Sequence, residues 1–227
     1  MSTIELVVAQ DAADAARRVA ELLAAAASRG GDLALSGGST PRPAYELAAE
    51  LEPDWSAADV WLGDDRLVPP DDERSYLRLV REHLTDRLRG APRLHAIETS
   101  LPAADAAAAY DAALEGVVLS LALQGLGGDG HTASLFPNAP ALESTARAVA
   151  AEPGLDPRVD RVTMTLPVLC AAEEVVFLVT GADKADAVRR AFAEPPSPAT
   201  PASLVRSRDG RTLAILDPAA ASLLPST

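Results

Sequence analysis

The stretch that decides the fold reads Val117-Val-Leu-Ser-Leu-Ala-Leu-Gln-Gly-Leu-Gly-Gly-Asp-Gly-His131, an apolar run joined to a glycine-rich segment. The apolar part, Val117–Leu123, is typical of a strand that is buried on both faces. Such strands occur mainly in parallel sheets covered by helices, and the segment Gly125–His131 would then follow the strand's carboxyl end. The stretch therefore predicts an α/β fold with a ligand-binding loop beside a central strand.

The rest of the chain alternates strand-like and helix-like segments around this run, without an internal repeat. This alternation predicts one domain, residues 1–227, with a three-layer, Rossmann-like α/β fold in which helices cover both faces of a mainly parallel sheet. The other predicted strands are Ile4–Ala9, Leu33–Leu35, Val60–Leu62, Ala146–Ala150, Val162–Leu166, Val175–Val179 and Leu213–Leu216. The predicted helices begin after Asp11, at Thr40-Pro41 (N-cap and first residue), near Ser75, at Ala103 and at Lys184.

The composition argues against several classes of partner. The 227 residues carry a formal net charge of -13, and a surface this acidic repels nucleic acids and anionic membranes. Cys170 is the only cysteine, which suits a reducing compartment. No apolar stretch approaches the roughly 20 residues that cross a bilayer, and the N-terminus has no signal-peptide pattern. We expect a cytoplasmic protein, a monomer or weak homodimer, that binds neither nucleic acid nor membrane.

The glycine-rich segment matches the dinucleotide pattern G-x-G-x-x-G through Gly125, Gly127 and Gly130. That fingerprint belongs to the first strand–helix unit of a fold and opens a helix at its third glycine. Here the segment lies in the middle of the chain and leads into Ser134-Leu-Phe-Pro137, where proline discourages a long helix. The sequence therefore argues against a nucleotide cofactor, and no cofactor is expected.

His131 is the candidate catalytic residue of this segment. An imidazole can accept and return a proton near neutral pH, and a neighbouring carboxylate, here Asp129 or Asp64, can fix its tautomer. The backbone N–H groups around Gly127 and Gly128 are placed to stabilise an oxyanion. No Gly-x-Ser-x-Gly elbow provides a nucleophile, so water is expected to attack. No second cluster of ligand residues accompanies His131, so no metal site is expected.

Two further segments have features of a phosphate site. Ser36-Gly-Gly-Ser-Thr-Pro41 offers backbone N–H groups and hydroxyls at a predicted helix start, although ordinary strand–helix turns have the same pattern. Gly63-Asp-Asp-Arg66 offers an arginine that can clamp a phosphate, although a salt-bridged loop is the commoner outcome. The candidate phosphate-binding residues are Gly37, Gly38, Ser39, Thr40, Arg66, Arg161 and Lys184.

In this order, these motifs resemble the 6-phosphogluconolactonase family over nearly the whole chain. The segment from Gly125 to Pro137 is the most specific part of the match. The resemblance implies a Rossmann-like sheet shared with glucosamine-6-phosphate and ribose-5-phosphate isomerases. It also implies hydrolysis of 6-phospho-D-glucono-1,5-lactone in the oxidative pentose phosphate pathway, without metal or nucleotide. The matching segments are Ser36–Pro41, Gly63–Pro69 with Ser75, Gly125–Pro137, Arg161–Pro167 and Val179–Ala185.

By matching positions, the resemblance assigns His131 as the catalytic base and Asp64 as its polar partner in the site. The phosphate-side cations that it implies are Arg66, Arg161 and Lys184. Three positions depart from the family pattern: Asp65 stands where Glu is usual, and Tyr76 and Cys170 stand where Asn is usual. Of these, Tyr76 removes a possible amide contact with the substrate.

Two other functions remain as alternatives. An amino-sugar-phosphate isomerase/deaminase would resemble this loop, but that family continues after the histidine with an Asn-Glu-Pro-type segment, whereas Ser134-Leu-Phe-Pro137 follows here. A non-catalytic sugar-phosphate sensor usually carries a DNA-binding helix-turn-helix, for which this acidic chain has no spare segment. Ammonia release would identify the first alternative, and binding without turnover the second.

Overall fold

The computed structural model describes residues 3–152 and 158–225, which form a seven-stranded sheet and a three-stranded sheet with helices around them. All strand pairs of the large sheet are parallel, as predicted. In spatial order its strands are β1 (Ile4–Val8), β10 (Arg211–Leu216), β9 (Glu174–Val179), β6 (Leu121–Gln124), β2 (Asp32–Leu35), β3 (Asp59–Leu62) and β5 (Arg93–His95).

Six α-helices connect the strands within the described residues. The first is capped by the Asp11 carboxylate, which accepts a hydrogen bond from the Asp14 N–H, as the sequence predicts. The helices are α1 (Ala12–Ser28), α2 (Arg42–Leu51), α3 (Tyr76–His83), α4 (Ala103–Ala113), α5 (Leu166–Leu169) and α6 (Ala185–Phe192). None of the helices in the described part of the chain has the length and apolar character needed to span a membrane.

The direction of the chain changes between two neighbouring central strands, β2 and β6. From β2 the chain continues to β3 on one side, whereas from β6 it continues to β9 and β10 on the other. Loops that leave β2 and β6 at their carboxyl ends therefore diverge and leave a crevice between them, which is where ligands bind in open parallel sheets. Every residue of β6 is buried, so the crevice has a rigid base.

A small antiparallel sheet lies next to the end of β3. Its strands, in spatial order, are β4 (Asp64–Arg66), β8 (Arg161–Met164) and β7 (Ala148–Ala151). The Met164 N–H donates to the carbonyl oxygen of Gly63, the residue after β3, at 2.8 Å. This bond joins the small sheet to the end of β3. This sheet fixes the segment 64–66 beside the crevice.

Several sequence predictions of local structure need correction. The segment 64–66 is a strand, not a loop, because it pairs with β8. The predicted run 117–123 is strand only from Leu121, and Val118 is 57% exposed. Thr40 does not cap α2: Pro41 is the N-cap residue and no side chain bonds the first turn. The predicted strand 162–166 ends at Met164, where a short proline-containing helix begins.

Candidate active site

The crevice opens into a cavity of about 460 Å³. Loops after β2, β6 and β9 form its wall, together with Asp64 and the start of α3. Six of the predicted site residues in these loops line it: Gly37, Gly38, Ser39, Thr40, Gly127 and His131. Asp64 and Lys184 line it too, so the structure brings eight of the twelve predicted residues together.

His131 is held by Asp129, not by Asp64. The His131 Nδ1 lies 2.6 Å from Asp129 Oδ1, and the His131 backbone N–H donates to the same oxygen at 3.1 Å. Partial burial raises the pKa of Asp129, but the hydrogen bonds from His131 outweigh it and the net shift is downward. An ionised carboxylate only accepts, so Nδ1 donates. The Nε2 atom has no protein partner among the described residues.

The loop that carries this pair is folded tightly on itself. The Gly127 N–H donates to the His131 carbonyl oxygen at 2.9 Å, and the Gly130 N–H donates to the Gly127 carbonyl oxygen at 2.9 Å. Gly130 has φ of +97°, a conformation that favours glycine. A Cβ at Gly127 would lie 2.1 Å from His131 Nδ1, so the imidazole packs directly on this glycine.

Arg190 of α6 anchors the same loop, and sequence reasoning missed it. Its guanidinium donates to the carbonyl oxygens of Gly128 at 2.9 Å and Asp129 at 3.2 Å. Asp186, one turn earlier, holds the guanidinium in turn at 2.8 Å. Nothing near Arg190 in sequence indicates this role, because its partners are about 60 positions away. Gly128 and Asp129 face this anchor and do not line the cavity.

Asp64 is buried, and it lines the cavity. Its Oδ2 accepts a hydrogen bond of 2.6 Å from Ser134 Oγ, a residue to which the sequence assigned no role. Burial raises the pKa of Asp64, and the Ser134 bond and the positive charges of Arg161 and Arg66 only partly oppose this. Asp64 therefore adds a carboxyl group to the cavity without contacting His131.

The Asp65 side chain bonds the backbone at the start of α3. Its carboxylate accepts backbone N–H bonds from Tyr76 at 2.7 Å and Leu77 at 3.0 Å, at the N-terminus of α3. It also accepts the N–H of Arg66 at 2.7 Å. Burial raises the pKa of Asp65 to about 6, although these hydrogen bonds favour the charged form. Asp, which is shorter than the Glu usual at this position, thus binds the first backbone N–H groups of α3.

The sequence assigned Arg66 and Arg161 to phosphate binding, and neither is among the described residues that line the cavity. The Arg66 guanidinium lies 4.0 Å from the Tyr76 ring centroid, and its Nη1 donates to the Arg74 carbonyl oxygen at 2.7 Å. The Arg161 guanidinium lies 5.5 Å from the ring centroid of Phe136. The Nε atoms of both arginines are buried without a hydrogen-bond partner. Both guanidinium groups therefore lie next to aromatic rings.

The loop after β2 offers backbone donors instead. The N–H groups of Gly37, Gly38, Ser39 and Thr40 have no protein partner among the described residues. Gly38 adopts φ of +95° and nothing lies near the position of a Cβ, so the loop is open at this point. Its base is fixed by Tyr45, whose hydroxyl donates to the Ser36 carbonyl oxygen at 2.6 Å. Such a row of free N–H groups suits an anion.

Lys184 is the cation of the cavity. Its Nζ lies 3.3 Å from the carboxylate of Asp183, which is largely exposed. Among the described residues that line the cavity, no other side chain is a lysine or arginine. No group of three or more possible metal ligands is found within residues 3–152 and 158–225. The cavity therefore combines an imidazole, a lysine and free backbone N–H groups.

Comparison with known proteins shows the family of the chain. Residues 8–214 match the family described as glucosamine-6-phosphate isomerases/6-phosphogluconolactonase. The chain belongs to this family. A human protein named 6-phosphogluconolactonase is 40% identical over 223 residues, which cover 92% of this chain and 86% of the relative. A Nostoc protein of the same name is 36% identical, covering 85% of this chain and 84% of the relative.

Solved structures of the family have the same fold. The crystal structure of 6-phosphogluconolactonase from Thermotoga maritima superposes with a TM-score of 0.83 at 27% identity, covering 96% of this chain and all of the other. The enzyme of that name from Trypanosoma cruzi gives a TM-score of 0.87 at 26% identity, covering all of this chain and 99% of the other. The predicted three-layer, Rossmann-like fold is confirmed.

Proposed function

We propose that this protein hydrolyses 6-phospho-D-glucono-1,5-lactone to 6-phospho-D-gluconate, as its relatives' names indicate, with His131 as the general base that activates water. The observation that carries the proposal is the His131–Asp129 pair. Its imidazole lines the same cavity as Lys184 and a row of free backbone N–H groups. A base and an anion cradle in one cavity match a substrate with a carbonyl at one end and a phosphate at the other.

Binding is proposed to begin at the phosphate. The N–H groups of Gly38, Ser39 and Thr40 and the ammonium of Lys184 hold the phosphate oxygens. In a chain of net charge -13, this local cluster of donors has to overcome a repulsive field, so most of the affinity comes from short-range contacts. The anchored phosphate positions C1 of the lactone beside His131, which replaces a chance encounter with water by a fixed geometry.

The chemistry then needs one proton to move twice. Nε2 of His131 takes a proton from water while the oxygen forms a bond to C1, and the carbonyl becomes an oxyanion. Asp129 stabilises the imidazolium through its hydrogen bond to Nδ1. When the oxyanion collapses, the bond between C1 and the ring oxygen breaks, and the imidazolium protonates the departing oxygen. The N–H of Gly127 bonds the His131 carbonyl oxygen within its own loop, so this donor is already used.

The test is a coupled assay with lactone generated in place, which compares the enzyme-dependent rate with spontaneous opening. His131→Asn should lower kcat by about 10²–10⁴-fold with little change in KM, the usual range for a general base. His95→Asn is the matched control, because His95 stacks on Trp61 and bonds Asp59 away from the cavity. Unchanged turnover in His131→Asn would refute the assignment.

The same preparation separates the alternatives. Ammonia release from glucosamine 6-phosphate would identify a deaminase, and phosphogluconate binding with lactone opening at the spontaneous rate would identify a sensor. We propose further that the chain acts in the cytoplasm as one domain, residues 1–227. We propose a monomer or weak homodimer that binds neither cofactor nor nucleic acid; the net charge of -13 supports this last point.

A further inference from the structure

The chain has three tyrosines, and their hydroxyls differ in one respect. The Tyr45 hydroxyl bonds the backbone of Ser36, and the Tyr110 hydroxyl bonds the backbone of Leu62 on both its donor and acceptor sides. The Tyr76 hydroxyl has no protein partner in the described part of the chain, and Tyr76 lines the cavity. A phenol without a partner beside a substrate cavity is a donor that a ligand can use.

The Tyr76 ring occupies a space that depends on Gly37. A Cβ at Gly37 would lie 2.0 Å from the ring carbons, so any larger residue there would displace the ring. The ring therefore packs on the backbone of Gly37, which is the first residue in the row of free N–H groups. This contact places Tyr76 at the anion end of the cavity.

The Arg66 guanidinium also lies against the Tyr76 ring, 4.0 Å from its centroid. Arg66 belongs to a separate cleft of about 470 Å³, which is rich in arginine. The arginines that line this cleft are Arg42, Arg66, Arg74 and Arg78. Tyr76 thus lines the candidate active-site cavity and also contacts Arg66, which lines the second cleft.

The phenol remains neutral in this position. Burial raises the pKa of Tyr76 to about 12, and the nearby Asp64 carboxylate acts in the same direction. At any pH at which the protein would work, the hydroxyl therefore carries its proton and can donate a hydrogen bond.

We propose that Tyr76 is a specificity-determining residue, whose hydroxyl donates a hydrogen bond to a phosphate oxygen of the substrate while its ring keeps Arg66 out of the cavity. This inference rests on the proposed function. It also explains how the site works with Lys184 as its lining cation: a neutral phenol and backbone N–H groups supply the remaining contacts.

The first experiment compares Tyr76→Phe with wild type in the coupled assay. The variant keeps the ring and its contacts with Gly37 and Arg66, so KM should rise about tenfold while kcat stays within about twofold. Tyr110→Phe is the matched control: it loses two backbone hydrogen bonds and should lower Tm without changing KM. Unphosphorylated glucono-1,5-lactone is the second substrate, and its kcat/KM should be equal in wild type and Tyr76→Phe.

Each outcome has a separate meaning. If wild type does not accelerate lactone opening, the proposed function fails. If wild type is active and Tyr76→Phe keeps the wild-type KM, the proposed hydrogen bond from the Tyr76 hydroxyl to the phosphate is wrong, and the proposed function stands. Equal losses on both lactones would overturn the assignment of the hydroxyl to the phosphate.

A double-mutant cycle tests the barrier formed by the ring. Arg66→Ala should change KM by less than about threefold when Tyr76 is present. In the Tyr76→Ala background, Arg66 can reach the cavity, and Arg66→Ala should then raise KM about tenfold. Equal effects of Arg66→Ala in both backgrounds would show that the ring does not separate them.

Discussion

The loop after β6 and strand β4 both reach the cavity, but they do so in different ways. In the loop, His131 is held by Asp129, two residues away, and packs on Gly127, four residues away. In β4, Asp64 bonds Ser134, which is 70 positions along the chain. The His131–Asp129 pair is thus formed within the loop, whereas the contact of Asp64 in β4 depends on a distant segment.

This difference explains why the sequence narrowed down the contacts of the loop but not those of β4. His131 and Asp129 are two residues apart, so the sequence already included Asp129 among the two candidate partners of His131. The three consecutive side chains of β4 take three different partners: Ser134 for the first, the start of α3 for the second, and Tyr76 for Arg66. Only the folded chain decides which of them faces the substrate.

The largest effect is expected from breaking the local packing of the loop. In Gly127→Ala, the added methyl group would lie 2.1 Å from His131 Nδ1 and 2.6 Å from Asp129 Oδ1, so the pair must move. A displacement of about 1 Å typically costs about a hundredfold in kcat. Gly125→Ala is the control, since nothing lies within 4 Å of its Cβ position. Equal kcat values for the two variants would contradict a locally built loop.

The next comparison concerns the cations. Lys184 lines the cavity and Arg66 does not, so Lys184→Ala should raise KM about tenfold or more, the cost of losing a charge-assisted contact. Arg66→Ala should raise KM by less than about threefold, although it removes the stacking on Tyr76. Steady-state kinetics on both variants measures this. If Arg66→Ala had the larger effect, the placement of Arg66 outside the cavity would be wrong.

Ser134→Ala tests the long-range support of β4. The substitution leaves the buried Asp64 carboxyl without its side-chain donor, which should cost about 1–2 kcal/mol in the free energy of unfolding. Urea titration measures this value. Ser222→Ala is the control, because that serine is exposed and bonds only a carbonyl oxygen three residues away. A loss below about 0.5 kcal/mol in Ser134→Ala would show that Asp64 does not need this partner.

The smallest effect is a pH dependence of stability at Asp65. Its pKa is raised to about 6 in the folded protein, so the folded state holds this proton more tightly than the unfolded chain does. Stability is then lost as pH rises through the folded pKa, by about 1 kcal/mol between about pH 5 and pH 7. Asp65→Asn should lack this loss. The check is the difference between wild type and variant across that range; a constant difference would contradict the raised pKa.

Much of the fold was predictable from local patterns. Apolar runs gave most of the parallel strands, and the Asp11 cap marked the start of α1. The errors fall where pairing or packing overrides local preference. Segment 64–66 becomes a strand only because β8 lies beside it. In the apolar run that begins at Val117, the strand starts only at Leu121, because the hydrogen bonds from the neighbouring strands begin there.

The candidate site divides in the same way. The sequence identified the residues of the two glycine-containing loops that line the cavity, because glycines at strand ends and a lone histidine among them are recognisable locally. It missed Ser134 and Arg190, whose partners are 70 and about 60 positions away. It also assigned Arg66 to phosphate binding, and the structure places the Arg66 guanidinium against the Tyr76 ring and outside the set of cavity-lining residues.

By itself, the sequence determined the alternating fold, the acidic surface and the identity of the loop that carries His131, since each depends on residues near one another in the chain. The tertiary structure alone decided which carboxylate meets the imidazole and which cations face the cavity. The physical reason is that hydrogen bonds and ring stacking act over a few ångströms in space. Separation along the chain does not encode those distances when the partners come from different strands and helices.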